Sequence, residues 1–159
     1  MSHIELLNII LYNPIVGKFY WFNGKEAGHV QNAGYISITI NYKPYLAHRL
    51  AWFYCYNVWP KNQIDHINGN KVDNRLSNLR EATRTENLQN QRKAHINNSC
   101  GLLGVCYHRR SGKYQAQIKI NGKLTYLGLF KTKEEAYTAY IESKIKNHPY
   151  NEIIIEKSV

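Results

Sequence analysis

A chain of 159 residues has room for one domain or two very small ones. Hydrophobic residues make up 43% of it and aromatic residues 13%, which is too apolar for a disordered chain and sufficient for a buried core. Lysine and arginine number 21 against 11 acidic residues, and the net charge of +10 favours a polyanionic partner, nucleic acid before an anionic membrane. The alternative on charge alone is that many small proteins are simply basic.

Membrane association is not expected from the hydropathy pattern. No apolar run approaches the ~20 residues that span a bilayer, and the first residues, MSHIELLNII, lack the basic leader and cleavage site of a signal peptide. We therefore expect an intracellular protein in which Cys55, Cys100 and Cys106 are reduced thiols. Cys100 and Cys106 lie near His95 and His108 but lack the spacing of a zinc site.

Residues 1–62 are predicted to form a small α+β unit. The segments GKFYWFNG and GYISITINYK have strand character, and the second alternates isoleucines with polar residues. In LAHRLAWFYCY (46–56) the apolar residues recur every three to four positions, which predicts a helix that Trp59-Pro60 ends.

The segment QIDHINGNKVDNRLSNLREATRTEN (63–87) combines an acid–histidine pair with asparagines at 68, 70, 74, 78 and 87. Ile64 and Leu79 mark short extended pieces, and Thr83-Arg-Thr-Glu86 has the form of a capping box that begins a helix near Arg84. The predicted order is therefore strand, polar loop, strand, helix. Adjacent side chains on a strand point to opposite faces, so Asp65 and His66 can serve one site only if the strand ends there and twists, or if one of the two side chains reaches around.

Hydrolysis of a phosphodiester needs an activated water, neutralisation of the phosphate and stabilisation of the leaving 3′ oxygen. A hard divalent cation with oxygen ligands supplies the last two, and a neutral histidine supplies the first. The alternative is that Asp65-His66 is a capped turn and Asn68-Gly-Asn70 an ordinary loop, which leaves the spacing and the charge unexplained.

Asp65-His66, Asn78 twelve residues later and Asn87 nine residues beyond that resemble the ββα-metal motif of the HNH homing endonucleases of phages and group I introns. The preceding segment AHRLAWFY…WP (47–60) is similar as well, and the resemblance covers residues 10–90. It implies that Asp65 and Asn87 hold one Mg²⁺ or Mn²⁺, that His66 is the general base and that Asn78 orients His66. His48-Arg49 also recurs in relatives, where a structural role or a phosphate contact is expected. Further backbone contacts are predicted for Arg75, Arg80, Arg84 and Lys93.

Residues 91–100 are predicted to be a basic linker, since apolar periodicity is lost there. Such a linker either follows a phosphate backbone or is merely solvated. The predicted domains are thus a nuclease domain at 1–90 with its core at about 46–90, this linker, a second domain at 101–147 and a tail at 148–159. The tail shows only a short apolar run, Ile153–Ile155.

Residues 101–147 have the pattern of three strands in a meander followed by a helix. GVCYHR, KYQAQIKI and KLTYLGLF are separated by Ser-Gly and Asn-Gly turns, and a capping box from Thr132 to Glu135 begins the helix. Alternation places three long polar side chains of the middle strand on the outer face: Gln115, Gln117 and Lys119. Inward positions are predicted for Tyr114, Ala116, Ile118, Ile120, Val105, Leu127 and Leu129, and outward positions for His108, Leu124 and Tyr126.

This second module resembles the Apetala/ethylene-response-factor DNA-binding domain, on the segments GV (104–105), GKYQAQIK (112–119), YLGLF (126–130) and EEAYTAY (134–140). The resemblance implies that the sheet reads a DNA major groove, and Gln117, Lys119 and Tyr126 match positions that contact DNA in that family. Several arginine positions of the family differ here, so its target sequence does not transfer. The alternative is an ordinary solvated face.

The sequence as a whole predicts an α+β protein that is a metal-dependent, site-preferring DNA endonuclease, acting in the host cytoplasm if it is phage-encoded. Its expected partner is double-stranded DNA, with no membrane and no small-molecule cofactor, and it is expected to be a monomer that nicks or a homodimer that cuts both strands. The alternatives are a non-enzymatic DNA-binding protein with a decayed nuclease fold and an RNA-binding protein, which the outer sheet face fits less well.

Overall fold

The computed structural model describes residues 1–151 and confirms a mixed α+β protein. The chain divides into two compact units, Met1–Arg84 and Thr85–Val159. The predicted domain limits, including the linker at 91–100, stay predictions, and the apolar run Ile153–Ile155 lies outside the described residues. Within residues 1–151, no helix has the length and apolar character needed to cross a membrane.

The first unit consists of short strands around two helices. The helices are α1 (His3–Leu7) and α2 (Ala47–Tyr56). The strands are β1 (Ile10–Asn13), β2 (Lys18–Trp21), β3 (Glu26–Ala27), β4 (His29–Val30), β5 (Ile36–Ile40), β6 (Lys43–Leu46), β7 (Gln63–His66) and β8 (Leu79–Ala82). They form three antiparallel sheets with the strand orders β1-β2-β3, β4-β5-β6 and β7-β8.

A single apolar cluster joins these small sheets to the helices. Its buried members include Leu6, Ile10, Phe19, Ile38, Leu50, Ile64 and Leu79. No sheet of two or three short strands is stable by itself in water, so each depends on this shared core. The core therefore fixes β7 and β8, which carry the acid–histidine pair, against the rest of the first unit.

Helix α2 confirms the predicted helix, but its end lies earlier than Trp59-Pro60. The helix ends at Tyr56, and Asn57 adopts a left-handed conformation (φ 55°) with its N–H bonded to the carbonyl of Phe53. Asparagine tolerates this conformation, which caps the last turn and turns the chain away. The helix therefore ends at the Asn57 cap, three residues before Pro60.

The order strand, polar loop, strand, helix predicted for residues 63–90 is confirmed. Strands β7 and β8 pair antiparallel, with Asp65 opposite Arg80 and His66 opposite Leu79. A short 3₁₀ turn, Leu76–Asn78, leads into β8, and α3 (Arg84–Gln89) follows β8 along the chain. The polar loop between the strands, residues 67–78, is called the asparagine loop below.

The second unit contains the predicted meander and helix. Strands β9 (Val105–His108), β10 (Lys113–Ile120) and β11 (Lys123–Phe130) form an antiparallel sheet with β10 in the centre, and α4 (Lys133–Asn147) packs on it. The capping box between Thr132 and Glu135 is present. At the Asn-Gly turn both residues have positive φ, 49° and 81°, which confirms the hairpin prediction.

One predicted orientation in this sheet is wrong, that of Leu129. A bulge in β11 makes Ala116 pair with Gly128 but Gln117 pair with Tyr126, so Leu127 is the extra residue. The extra residue reverses the alternation beyond it, and Leu129 lies opposite Gln115 on the outer face, with 37% of its surface exposed. Phe130 packs against the core instead.

Candidate active site

Asp65 and His66 are the last two residues of β7, and both are buried at 6% and 4% exposure. The strand therefore ends at His66, which is the first of the two arrangements that the sequence left open for these side chains. The two side chains have different neighbours, Arg80 for Asp65 and Asn74 for His66. The asparagine loop begins directly after His66.

The asparagines of this loop fold it through their side chains. Asn68 accepts a hydrogen bond from the N–H of Asn70 and donates one to Asp73, and Asn70 accepts one from the N–H of Val72. Short polar side chains that bond to nearby backbone groups are typical of such turns. The loop is therefore stabilised by local hydrogen bonds of its own side chains, which explains why its sequence is rich in asparagine.

Asn78 braces the same loop from its far end. Its Oδ1 accepts a hydrogen bond from the N–H of Asn68 (2.9 Å), and its Nδ2 donates to the carbonyl of Asp73 (2.8 Å). Its own carbonyl accepts from the N–H of Ile67 (2.9 Å). The prediction that Asn78 orients His66 stays a prediction. The three bonds of Asn78 hold the backbone of the asparagine loop at both of its ends, and the loop begins directly after His66.

The side chain that hydrogen-bonds to His66 is that of Asn74, to which sequence reasoning assigned no role. Asn74 is buried, and its Oδ1 lies 3.1 Å from Nε2 of His66. Because an amide oxygen only accepts, Nε2 of His66 is the donor in this hydrogen bond. Asn74 is itself held by Tyr12, whose hydroxyl donates to the Asn74 carbonyl (2.7 Å).

The β1–β2 turn approaches the asparagine loop very closely at this point. A Cβ added to Gly17 would lie 2.3 Å from the backbone nitrogen of Arg75, and the N–H of Leu76 donates to the carbonyl of Pro14. Gly17 has a positive φ of 72°. In the sequence, Gly17 was the one signal of this close approach. The reason that a side chain cannot be accommodated there is visible only when the position of the asparagine loop is known.

His66 lies in an aromatic pocket together with His48 and Tyr35. The His48 ring stands edge-to-face against the His66 ring at 5.0 Å between centroids, and Tyr35 lies 5.1 Å from His48. Burial lowers the pKa of His48 to about 3, with the neighbouring His66 and Arg49 acting in the same direction. His48 is thus neutral at physiological pH, and among the described residues its Nδ1 has no hydrogen-bond partner.

Burial is also the main influence on His66, and it lowers the pKa of this imidazole. The hydrogen bond with Asn74 and the charges of Asp65 and Asp73 act in the opposite direction, and Lys71 acts with burial. His66 is therefore held as a neutral imidazole, the form that can accept a proton from water.

Asp65 forms an ion pair with Arg80 from the opposite strand. The Arg80 Nε lies 3.0 Å and an Nη 2.9 Å from the same carboxylate oxygen, Oδ2. The predicted phosphate contact Arg80 therefore lies against the predicted metal ligand. Arg75, another predicted phosphate contact, is paired with Asp73 at 2.6 Å and holds the pKa of that carboxyl at about 2.

The remaining predicted residues of the nuclease motif lie on or after α3. Asn87 is half-buried on α3, and Arg84 and Lys93 are exposed. In residues 1–151 no three side chains of the types His, Cys, Asp and Glu come together as a metal cluster.

In the second unit the predicted DNA-contacting side chains share the outer face of the sheet. Gln115 donates to Gln117 (3.1 Å), and cross-strand pairing places Tyr126 beside Gln117. Lys119 and Tyr126 are exposed, whereas His108 is tied to Ser111 at 2.8 Å. The face thus combines hydrogen-bonding groups, a positive charge and an aromatic ring.

Comparison with known proteins assigns the region that carries Asp65 and His66. Residues 45–89 match the family model of HNH endonucleases, the family that this part of the chain was expected to resemble. Among solved structures the chain is similar to the HNH homing endonuclease I-HmuI, whose study concerns DNA binding and cleavage, with 29% identity and a TM-score of 0.44. That match covers 52% of this chain, and the chain spans about half, 51%, of I-HmuI. No significant match was found among curated proteins.

Proposed function

We propose that the protein is a DNA endonuclease that hydrolyses a phosphodiester with His66 as the general base. The observation that carries this proposal is the neutral, buried imidazole of His66, adjacent to Asp65 inside the region that matches HNH endonucleases. The asparagine loop holds this imidazole in one orientation. Proton abstraction by a positioned histidine contributes typically about 10²–10⁴-fold to a rate.

His66 accepts the proton on its imidazole ring in this proposal, and the Asn74 amide orients that ring through its contact with Nε2. The proton moves from the attacking water to the imidazole, the hydroxide oxygen attacks the phosphorus, and the bond from phosphorus to the 3′ oxygen breaks. The leaving 3′ oxygen then takes a proton from solvent water. The imidazolium that forms is stabilised by the nearby carboxylates of Asp65 and Asp73, whose charges raise the pKa of His66. His48 stays neutral beside it and so adds no positive charge.

A single Mg²⁺ or Mn²⁺ fits the donor types present, since a carboxylate and an amide oxygen are hard ligands. Asp65 is its proposed ligand from β7, and Asn87, from α3, is the second ligand that the sequence predicts. When bound, such a cation neutralises the scissile phosphate and stabilises the leaving 3′ oxygen. The residues of the chain would hold the phosphate and position the water around it.

Double-stranded DNA is the proposed substrate, and the second unit is proposed to bind it through the outer sheet face. Gln117 offers both a donor and an acceptor to base edges, and Lys119 offers charge to a phosphate. The net charge of +10 supports binding of a polyanion. An Apetala/ethylene-response-factor-like mode of reading, and cleavage of one strand or both, are parts of this proposal.

The test is cleavage of supercoiled plasmid by wild type and by His66→Ala, each with Mg²⁺ and with EDTA. We expect nicked or linear DNA from wild type with Mg²⁺ only, and at least about a hundredfold slower cleavage by His66→Ala because the general base is lost. A matched control is His29→Ala, which removes an exposed histidine of the same unit and should cleave at the wild-type rate.

Both variants are also tested for DNA binding by gel shift. Cleavage by His66→Ala at the wild-type rate would show that His66 is not the base. Absence of cleavage by wild type on plasmids with many different inserts, together with retained binding, would favour the alternative of a DNA-binding protein with a decayed nuclease fold.

A further inference from the structure

The ion pair between Arg80 and Asp65 lies in the middle of the β7–β8 hairpin. Two of the three guanidinium nitrogens, one Nη and Nε, contact one carboxylate oxygen, Oδ2, at 2.9 and 3.0 Å. The Asp65 side chain is 7% exposed and that of Arg80 20% exposed, so the pair is largely shielded from water. Direct cross-strand pairing of the two residues fixes this contact through the backbone.

Stability alone is a weak explanation for such a pair. Removing two charges from water costs about as much as their attraction returns, and apolar replacements are often equally stable. A guanidinium stays protonated at every physiological pH, so Arg80 compensates Asp65 permanently. The exposed pair between Lys18 and Glu26, at 2.7 Å, differs because both of its partners remain hydrated.

We propose that Arg80 is the built-in counter-cation of Asp65, and that it must leave Oδ2 before a divalent cation can bind there. This inference rests on the proposed role of Asp65 as a metal ligand. Two cations on one carboxylate oxygen repel each other strongly in a shielded site. Arg80 therefore lowers the affinity of the free protein for the metal, and its displaced guanidinium becomes available to a phosphate, for which its planar fork is suited.

The experiment measures Mn²⁺ binding to the full chain by calorimetry, without DNA. Arg80→Gln should bind Mn²⁺ at least about tenfold more tightly than wild type, because the competing charge is gone. Arg80→Lys, which keeps the charge, should stay close to wild type. Lys18→Gln removes one positive charge of the same unit at an exposed pair that does not include Asp65, and it should leave Mn²⁺ affinity within about twofold of wild type.

Asp65→Asn separates this inference from the proposed function. Loss of Mn²⁺ binding in Asp65→Asn, with unchanged or weaker binding in Arg80→Gln, would overturn the counter-cation role and leave Asp65 as a ligand. Unchanged binding in Asp65→Asn would instead remove Asp65 from the metal site, and the inference with it.

A second readout uses the wild-type protein, in case Arg80→Gln does not fold. The Nε–H of Arg80 donates to Asp65 and should give a protected signal in a ¹⁵N-edited NMR spectrum, identified by its loss in Arg80→Lys. Titration with diamagnetic Mg²⁺ should shift or weaken this signal in wild type. A signal that stays unchanged at saturating Mg²⁺ would contradict displacement.

Discussion

The imidazole of His66 depends on a few neighbours that set its charge and its orientation. Burial keeps it neutral, and the Asn74 amide selects which nitrogen holds the proton. Since Asn74 is fixed in turn by the Tyr12 hydroxyl, an element far away in the chain supports the imidazole. At the scale of the residue, orientation is as much a condition for catalysis as the presence of histidine.

Asn74→Ala should lower kcat by roughly tenfold to a hundredfold with little change in KM, because His66 loses its orienting acceptor. The bond from Tyr12 goes to the main chain of residue 74 and should survive, so the fold is retained. Plasmid cleavage kinetics measure this effect. The control is Asn70→Ala, from the exposed part of the same loop, whose kcat should stay near the wild-type value. Equal losses of kcat in both variants would mean that the whole loop, and not the Asn74 contact, is needed.

Each element of the second unit is formed by local signals, but its packing depends on close approaches. Helix α4 begins at a capping box and buries Ala136, Tyr140 and Lys144, and the Lys144 ammonium donates to the carbonyl of Gln91. Gly104, just before β9, lies directly under the Tyr140 ring. The contact between this glycine and the ring fixes the distance between α4 and the start of the sheet.

Gly104→Ala should destabilise the second unit, because a Cβ there would lie 2.0 Å from the Tyr140 ring and φ is +75°. Gly122→Ala is the matched control, since its φ is +81° but nothing lies within 4 Å of an added Cβ. Both should lose about 1 kcal/mol to backbone strain, and Gly104→Ala roughly 1–3 kcal/mol more to overpacking. Urea unfolding measures the difference, and equal midpoints would exclude a tight contact at Tyr140.

At the scale of the whole molecule, a strongly basic chain carries two units with different proposed tasks. The first contains the acid–histidine pair of the region that matches the HNH endonuclease model, and the second presents a mixed polar and aromatic sheet face. Site preference and bond cleavage are then separable properties. In the proposed function, charge would contribute to affinity without sequence information, whereas Gln117 would contribute to the choice of site.

DNA affinity should fall steeply with salt, and two substitutions in the sheet should affect it differently. Lys119→Ala should reduce the slope of log K against log salt by about 1 by removing one phosphate contact. Gln117→Ala should weaken binding to the preferred site while keeping the slope. Gel-shift titrations at several salt concentrations test both, and neither variant should change Mn²⁺ affinity. Unchanged DNA affinity in the double variant would remove this face from the interface.

Local patterns in the sequence determined the helix α2, the hairpin at Asn121-Gly122, the capped helix α4 and the order of strand, polar loop, strand and helix that contains Asp65-His66. These features depend on propensity, turn chemistry and spacing between near neighbours, which a sequence displays directly. The HNH motif was recognisable for the same reason, since its spacing lies within one short segment.

Only the tertiary structure decided which side chains meet around that motif. Asn74 rather than another loop asparagine bonds to His66, Tyr12 supports it from 62 residues away, and Arg80 pairs with Asp65 across the hairpin. The bulge that turned Leu129 outward arises from the pairing of β10 with β11. It cannot be predicted from the alternation of apolar and polar residues in one strand. Contacts between distant residues are set by register and close packing, and these exist only after the chain has folded.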